Sequence, residues 1–167
     1  MATETHNPPL YRDPVALHAQ DHAEWHLTTA TLEYASDENA LPLMLEEFAR
    51  ASRHYPIVFA GEAGMPVALM GLVRHNGFIE AGRWRGGHYI PAYLRRYPFL
   101  LMELDAAEDG MPRSLLAIDR EAPQVSSTPV EGGIPLFVDG EPAPVIAQAL
   151  RFCADFTAAH AATTAWV

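Results

Sequence analysis

Two stretches hold the side chains with the most obvious capacity for chemistry. His18, His22 and His26 recur four residues apart, with Asp21 and Glu24 between them. On a helix over Val15 to His26 that spacing drifts only about 40° per step, so His22 and His26 could bind one divalent transition metal, with Glu24 or Asp119 adding a carboxylate. A small metal-dependent enzyme is the function such a site would serve. The second stretch gathers Arg83, Trp84, Arg85, His88, Tyr89, Tyr93, Arg95, Arg96 and Tyr97 within a short length of chain. Arg, Trp and Tyr combine large buried area with directed charge or hydrogen bonds, so this cluster suits a binding surface for a protein partner or a small carboxylate ligand. Its packing alternative puts Trp84, Tyr89 and Tyr93 in a core and Arg95 and Arg96 in ion pairs with the chain's own acids.

Other chemistries are excluded by composition. All 11 positive residues are arginine, so no lysine is present for a Schiff base or a phosphate-binding P-loop. The serine-hydrolase elbow, the His-Glu-x-x-His zinc motif and the dinucleotide glycine fingerprint are all missing from the sequence. Cys153 is the single cysteine, which rules out an internal disulfide and a thiolate zinc cluster. Its place in an apolar helical stripe reads as a buried thiol. A net charge of −10 opposes binding to nucleic acid or to anionic lipid, and no apolar run is long enough to span a bilayer as a helix. Met1 to Pro9 lacks the basic start and apolar centre of a secretory signal, so a cytoplasmic location is the expectation.

The elements that would position these side chains read as α+β, with a mainly antiparallel sheet. A polar, proline-containing arm covers 1–14, and a single domain covers 15–167. An amphipathic helix is expected near 41–53, with Leu45, Phe48, Ala49 and Ser52 inward and Glu46, Glu47, Arg50 and Arg53 outward. A three-stranded meander follows over about 55–81. Tyr55 to Ala60 and Pro66 to Val73 are its first two strands, and the Asn76-Gly77 turn leads into Phe78-Ile79-Glu80. Pro91 and Pro98 bracket a short helix over 92–97. Strands at about 99–104 and 114–119 pair across a polar turn at 105–111. The stretch 123–135 reads as a long loop or lid. Asp139-Gly140 is a second turn, and a helix near 144–167 repeats apolar residues from Val145 to Thr163.

His54-Tyr55-Pro56-Ile57-Val58-Phe59, Pro66 to Leu72, and Trp84 with Tyr89-Ile90-Pro91-Ala92-Tyr93-Leu94-Arg95-Arg96-Tyr97-Pro98-Phe99 occur in that order. Leu136 to Pro142 comes later. In these words, from about His22 onward, the chain resembles the SapC family of bacterial proteins. The resemblance implies a non-catalytic accessory or binding role in a surface-layer or outer-membrane-associated pathway. Its implied partners are surface-layer proteins, TonB-dependent receptors or halogenase-like flavoproteins. It implies no cofactor and offers no catalytic residues to carry over, and because family members usually continue past the point of Val167, the expectation is either a further C-terminal module or a short member of the family. It also favours a strand for the threonine-rich stretch from Trp25 to Tyr34, which would take the three histidines off a common face.

Overall fold

The computed structural model describes residues 7–104 and 113–167, and the chain divides into two compact units. One comprises Thr31–Tyr97 with Arg151–Val167, the other Met1–Ala30 with Pro98–Leu150. Its class is α+β, with several small antiparallel sheets and a long C-terminal helix.

In the unit built on Thr31–Tyr97, Ile57–Ala60 and Met65–Leu69 form the expected hairpin, with Ala60 opposite Met65 across the Gly61–Gly64 turn. The third strand of that sheet comes from upstream. Ala40–Pro42 pairs with the far side of Met65–Leu69, and the Leu43 N–H continues the ladder to Pro66 O at 2.9 Å. Leu41 and Leu43 are both fully buried, the period-two pattern of a strand, and drawing these residues into the sheet shortens the expected helix over 41–53. What remains of it is a 3-10 turn, Leu45–Glu47, leading into α1, Phe48–Ala51. Glu47, expected outward, is buried; Ala49 and Ser52, expected inward, are exposed.

The meander fails at Asn76 because that side chain is used locally. Fully buried, its Oδ1 accepts the Phe78 N–H at 3.0 Å while its own backbone N–H donates to Ser36 O at 2.7 Å. Neither Asn76 nor Gly77 adopts positive φ, so no type I′ turn forms there. The tight hairpin lies a few residues later, where Ile79–Glu80 pairs with Arg83–Trp84. Its central residues, Ala81 and Gly82, have φ of 47° and 71°, the pair of positive values that a type I′ turn requires. Gly82 has a further constraint, since a Cβ there would stand 2.7 Å from Thr31 Cβ.

α2, Ala92–Arg96, forms between its two prolines as expected. α3, Pro144–Trp166, is likewise present, and Cys153, Phe156 and Thr163 are its buried residues within this unit. Thr163 Oγ1 donates to Ala159 O at 2.7 Å and accepts the Leu45 N–H at 2.9 Å, so one buried hydroxyl ties the helix to the start of the 3-10 turn.

In the other unit Arg113–Asp119 is the central strand of three. Phe99–Leu104 pairs on one side, Phe99 opposite Ile118, and Pro14–Ala16 pairs on the other. Tyr11 is buried and donates its hydroxyl to Phe99 O at 2.7 Å. The turn expected over 105–111 lies outside the described residues. The stretch expected as a loop or lid instead contributes two short strands, Val125–Ser126 and Ile134–Pro135, one on each side of His26–Leu27. The predicted Asp139-Gly140 turn is present, with φ of 52° and 81°, joining Phe137–Val138 to Glu141–Pro142. Among the described residues no helix is long and apolar enough to cross a membrane.

Candidate functional site

The histidines near the N-terminus do not sit on a helix. Pro14–Ala16 and His26–Leu27 are strands, with turns between them. His22 is buried edge-on against Trp25, ring centroids 4.4 Å apart, and its Nδ1 accepts the His18 N–H at 3.0 Å. His26 Nδ1 lies 2.8 Å from Glu24 O. Asp119, buried, accepts the Arg12 and Asp13 N–H groups at 2.9 Å each, so its carboxylate anchors the backbone that enters the first strand. Among the described residues no three His, Cys, Asp or Glu side chains gather as a metal-ligating group.

The arginine and aromatic cluster separates into an interior and a surface. Trp84 packs with Phe78 and Tyr55, at ring centroid distances of 6.1 and 6.5 Å. Its buried indole N–H finds no acceptor in hydrogen-bond geometry among the described residues. The neighbouring Tyr55 hydroxyl donates to Tyr89 O. Burial raises the Tyr55 hydroxyl to about 12, against a small lowering by the Trp84 side chain. Tyr93 is buried beside Phe156, and desolvation pushes its hydroxyl well above the ordinary tyrosine range. Arg96 is half-buried, its guanidinium 4.2 Å from the Phe156 centroid and 5.0 Å from that of Tyr93. Tyr97 is buried and stacks on Tyr34 at 4.7 Å. These residues hold the unit together.

Tyr89 and Arg95 reach the surface, and a buried acid fixes their arrangement. Glu47, 3% exposed, accepts the Met44 N–H through Oε2 at 2.9 Å, and through Oε1 the Ala92 N–H at 2.7 Å and the Tyr89 hydroxyl at 2.9 Å. The carboxylate thus joins the 3-10 turn to the first residue of α2. Arg95 then donates from Nη2 to the Tyr89 hydroxyl at 3.2 Å and from Nε to Ile90 O at 3.0 Å. Its guanidinium lies 5.8 Å from the Tyr89 centroid and 5.3 Å from that of Phe152. Burial and the Glu47 charge raise the Tyr89 pKa, and the Arg95 charge partly offsets them.

Arg95 borders a hollow of about 230 Å³ lined also by Met44, Glu46, Phe152, Asp155 and Phe156. Its lining mixes apolar side chains with one guanidinium and two carboxylates. Of the other expected site residues, Arg83 and Arg85 are exposed, and Arg85 lies 5.9 Å from the Phe78 centroid and 4.0 Å from a Glu80 carboxylate oxygen. His88 is half-buried on a separate, more open cleft, which Tyr89 also borders.

Sequence reasoning missed Glu47 and Phe152 as members of this arrangement. Glu47 had an available signal: a Glu three residues beyond Met44 is placed to receive the N–H that opens the turn, half of a capping box. Phe152 carried no such signal, because its contact with Arg95 is set by tertiary packing.

Neither the curated proteins nor the solved structures contain a match to this chain. The SapC family model matches residues 17–167, which include every side chain of the Glu47, Tyr89 and Arg95 arrangement, and the chain therefore belongs to the SapC family.

Proposed function

We propose that this SapC-family chain is a non-catalytic accessory protein that captures a protein partner through Arg95, Tyr89 and Phe152 beside the hollow under α2. One observation carries the reading. A buried carboxylate, Glu47, holds Tyr89 by a hydrogen bond, and Tyr89 with Phe152 holds an exposed guanidinium. An arginine whose aliphatic and planar surfaces are already ordered loses little side-chain entropy on binding, which is what makes Arg beside aromatic rings an efficient contact.

The hollow's own acids, Glu46 and Asp155, oppose a free carboxylate ligand. They favour a partner surface that offers an acid to Arg95 and a base to its neighbours. The family resemblance supplies the setting, a surface-layer or outer-membrane-associated pathway, and with it the partners to try. These are surface-layer proteins, TonB-dependent receptors and halogenase-like flavoproteins, met from the cytoplasmic side.

The test is a binding titration of the purified chain against each class, repeated with Arg95→Glu and Phe152→Ala. Loss of binding by at least tenfold in both variants, with unchanged circular dichroism, supports the surface. A partner bound equally well by both variants would place the contact elsewhere.

A further inference from the structure

A second cleft, of about 370 Å³, lies on the same unit and has a different character. Its lining is Arg50, Arg53, His54, Gly87, His88 and Tyr89, with no carboxylate among them. Arg50 sits in α1 and Arg53 three residues on, so the two guanidinium side chains project from the same flank of a helical turn. Like charges close together on a helical turn repel. Here neither Arg50 nor Arg53 has an ion pair with an acid among the described residues, and both are exposed, in a chain whose net charge is −10.

The opposite wall comes from the loop that carries His88. Its ring centroid stands 5.2 Å from that of His54, and its Nδ1 lies 3.0 Å from Gly86 O, which leaves Nε2 as the nitrogen not engaged by that carbonyl. Gly87 has φ of 78°, and no atom lies within 4 Å of where its Cβ would be, so the backbone there is open to an approaching group.

The geometry points to a binding site for a phosphoryl group between Arg50, Arg53, His54 and His88. A phosphate monoester carries about −1.5 to −2 charges at neutral pH and three strong acceptor oxygens, which matches two permanent guanidinium charges and two imidazole edges. A single carboxylate would balance only one of the arginines. The cleft shares only Tyr89 with the Arg95 surface, and neither Arg50 nor Arg53 belongs to that surface, so the two are tested separately.

The phosphoryl group could belong to a soluble ester or to a lipid headgroup, and the experiment separates these. Inorganic phosphate and glycerol phosphate are titrated calorimetrically into the full chain, and binding to neutral vesicles with and without phosphatidic acid is measured in parallel. The variants are Arg50→Glu, Arg53→Glu and Arg53→Lys, with Arg74→Glu, an exposed arginine that does not line the cleft, as the equal-charge control.

The expected result is binding weakened at least tenfold by Arg50→Glu and by Arg53→Glu, retained in part by Arg53→Lys and unchanged by Arg74→Glu. Binding to glycerol phosphate assigns a soluble ester, and binding only to phosphatidic acid vesicles assigns a headgroup. Either supports the site. No binding to any of the probes overturns it, and so does an equal loss in Arg74→Glu, which would reduce the effect to net charge. Because Arg50 and Arg53 are exposed, circular dichroism of each variant should match the parent, and Arg53→Lys reports on the site even if a reversal variant does not fold.

Discussion

Glu47 and Tyr89 meet at 2.9 Å, carboxylate to hydroxyl, across 42 residues of sequence. The same Oε1 takes the Ala92 N–H and the other oxygen takes the Met44 N–H, so a single buried acid closes the 3-10 turn, opens α2 and orients the tyrosine on which Arg95 rests. Structure and proposed recognition therefore share one residue.

Glu47→Ala leaves two backbone N–H groups and a tyrosine hydroxyl without their acceptor, and each unmade buried bond costs about 1–3 kcal/mol. The expected loss of stability is on the order of 3 kcal/mol, read as a lower urea midpoint with unchanged slope. Glu47→Gln keeps an acceptor and should lose roughly half as much. A Glu47→Ala protein within about 0.5 kcal/mol of the parent would show that the carboxylate organises little.

Arg96 contributes by stacking, with its guanidinium 4.2 Å from the Phe156 centroid. Arg96→Ala should destabilise by about 1 kcal/mol, and Arg96→Lys should recover only part of that, because a planar guanidinium covers a ring better than an ammonium does. Thermal denaturation of the two variants separates the outcomes.

The Ala81-Gly82 turn offers changes of opposite sign. Gly82→Ala combines positive φ with a 2.7 Å approach to Thr31 Cβ and should cost roughly 1–3 kcal/mol. Ala81 holds φ of 47° without being glycine, so Ala81→Asn or Ala81→Gly should raise stability by roughly 0.5–1 kcal/mol. If Ala81→Gly lowers the melting temperature instead, the hairpin turn is assigned wrongly.

Stability should fall in alkaline solution. Burial raises Tyr34 and Tyr55 from 10.0 to about 12 and the Cys153 thiol from 9.0 to about 11. Above the ordinary values the unfolded chain releases these protons while the folded chain keeps them, so it is the unfolded state that gains. Their contribution is whole below pH 9 and is lost as pH climbs through 11 and 12. Equilibrium unfolding at stepped pH checks the sign, and a flat profile across that interval would contradict it.

At pH 8 the Cys153 side chain should be almost inert to a disulfide reagent in the native protein and react to one equivalent in denaturant, since it is fully buried and only the thiolate attacks. Fast stoichiometric labelling of native protein would mean the helix opens there.

Much of the local structure was legible. The prolines at 91 and 98 bracket α2, the Asp139-Gly140 pair makes its turn, and the strands from Phe99 and to Asp119 pair with each other as expected. These features rest on φ restriction and short-range pattern, which a sequence displays directly. Asn76-Gly77 misled because a buried Asn that bonds its own neighbours looks, in sequence, like an Asn that tolerates positive φ. The shortening of the helix over 41–53 was hidden too, since Leu45, Phe48 and Ala49 make a helical stripe while the period-two pair Leu41 and Leu43 is too short to declare a strand before it pairs with Met65–Leu69. At the recognition surface Tyr89 and Arg95 were identified by residue type. Glu47 was assigned to solvent because a glutamate among charged neighbours on a short helix usually faces water.

Each compact unit is stitched from separate stretches of chain, and the order of synthesis makes this matter. A ribosome completes Thr31 to Tyr97 and must then produce the whole of residues 98–150 before it reaches the helical segment that carries Phe156 and Thr163. During that interval Tyr93 lacks its ring partner and the Leu45 N–H lacks its hydroxyl acceptor. The nascent protein thus carries a half-finished apolar surface until the closing helix arrives, and exposure of that kind is what makes incompletely folded chains prone to aggregate.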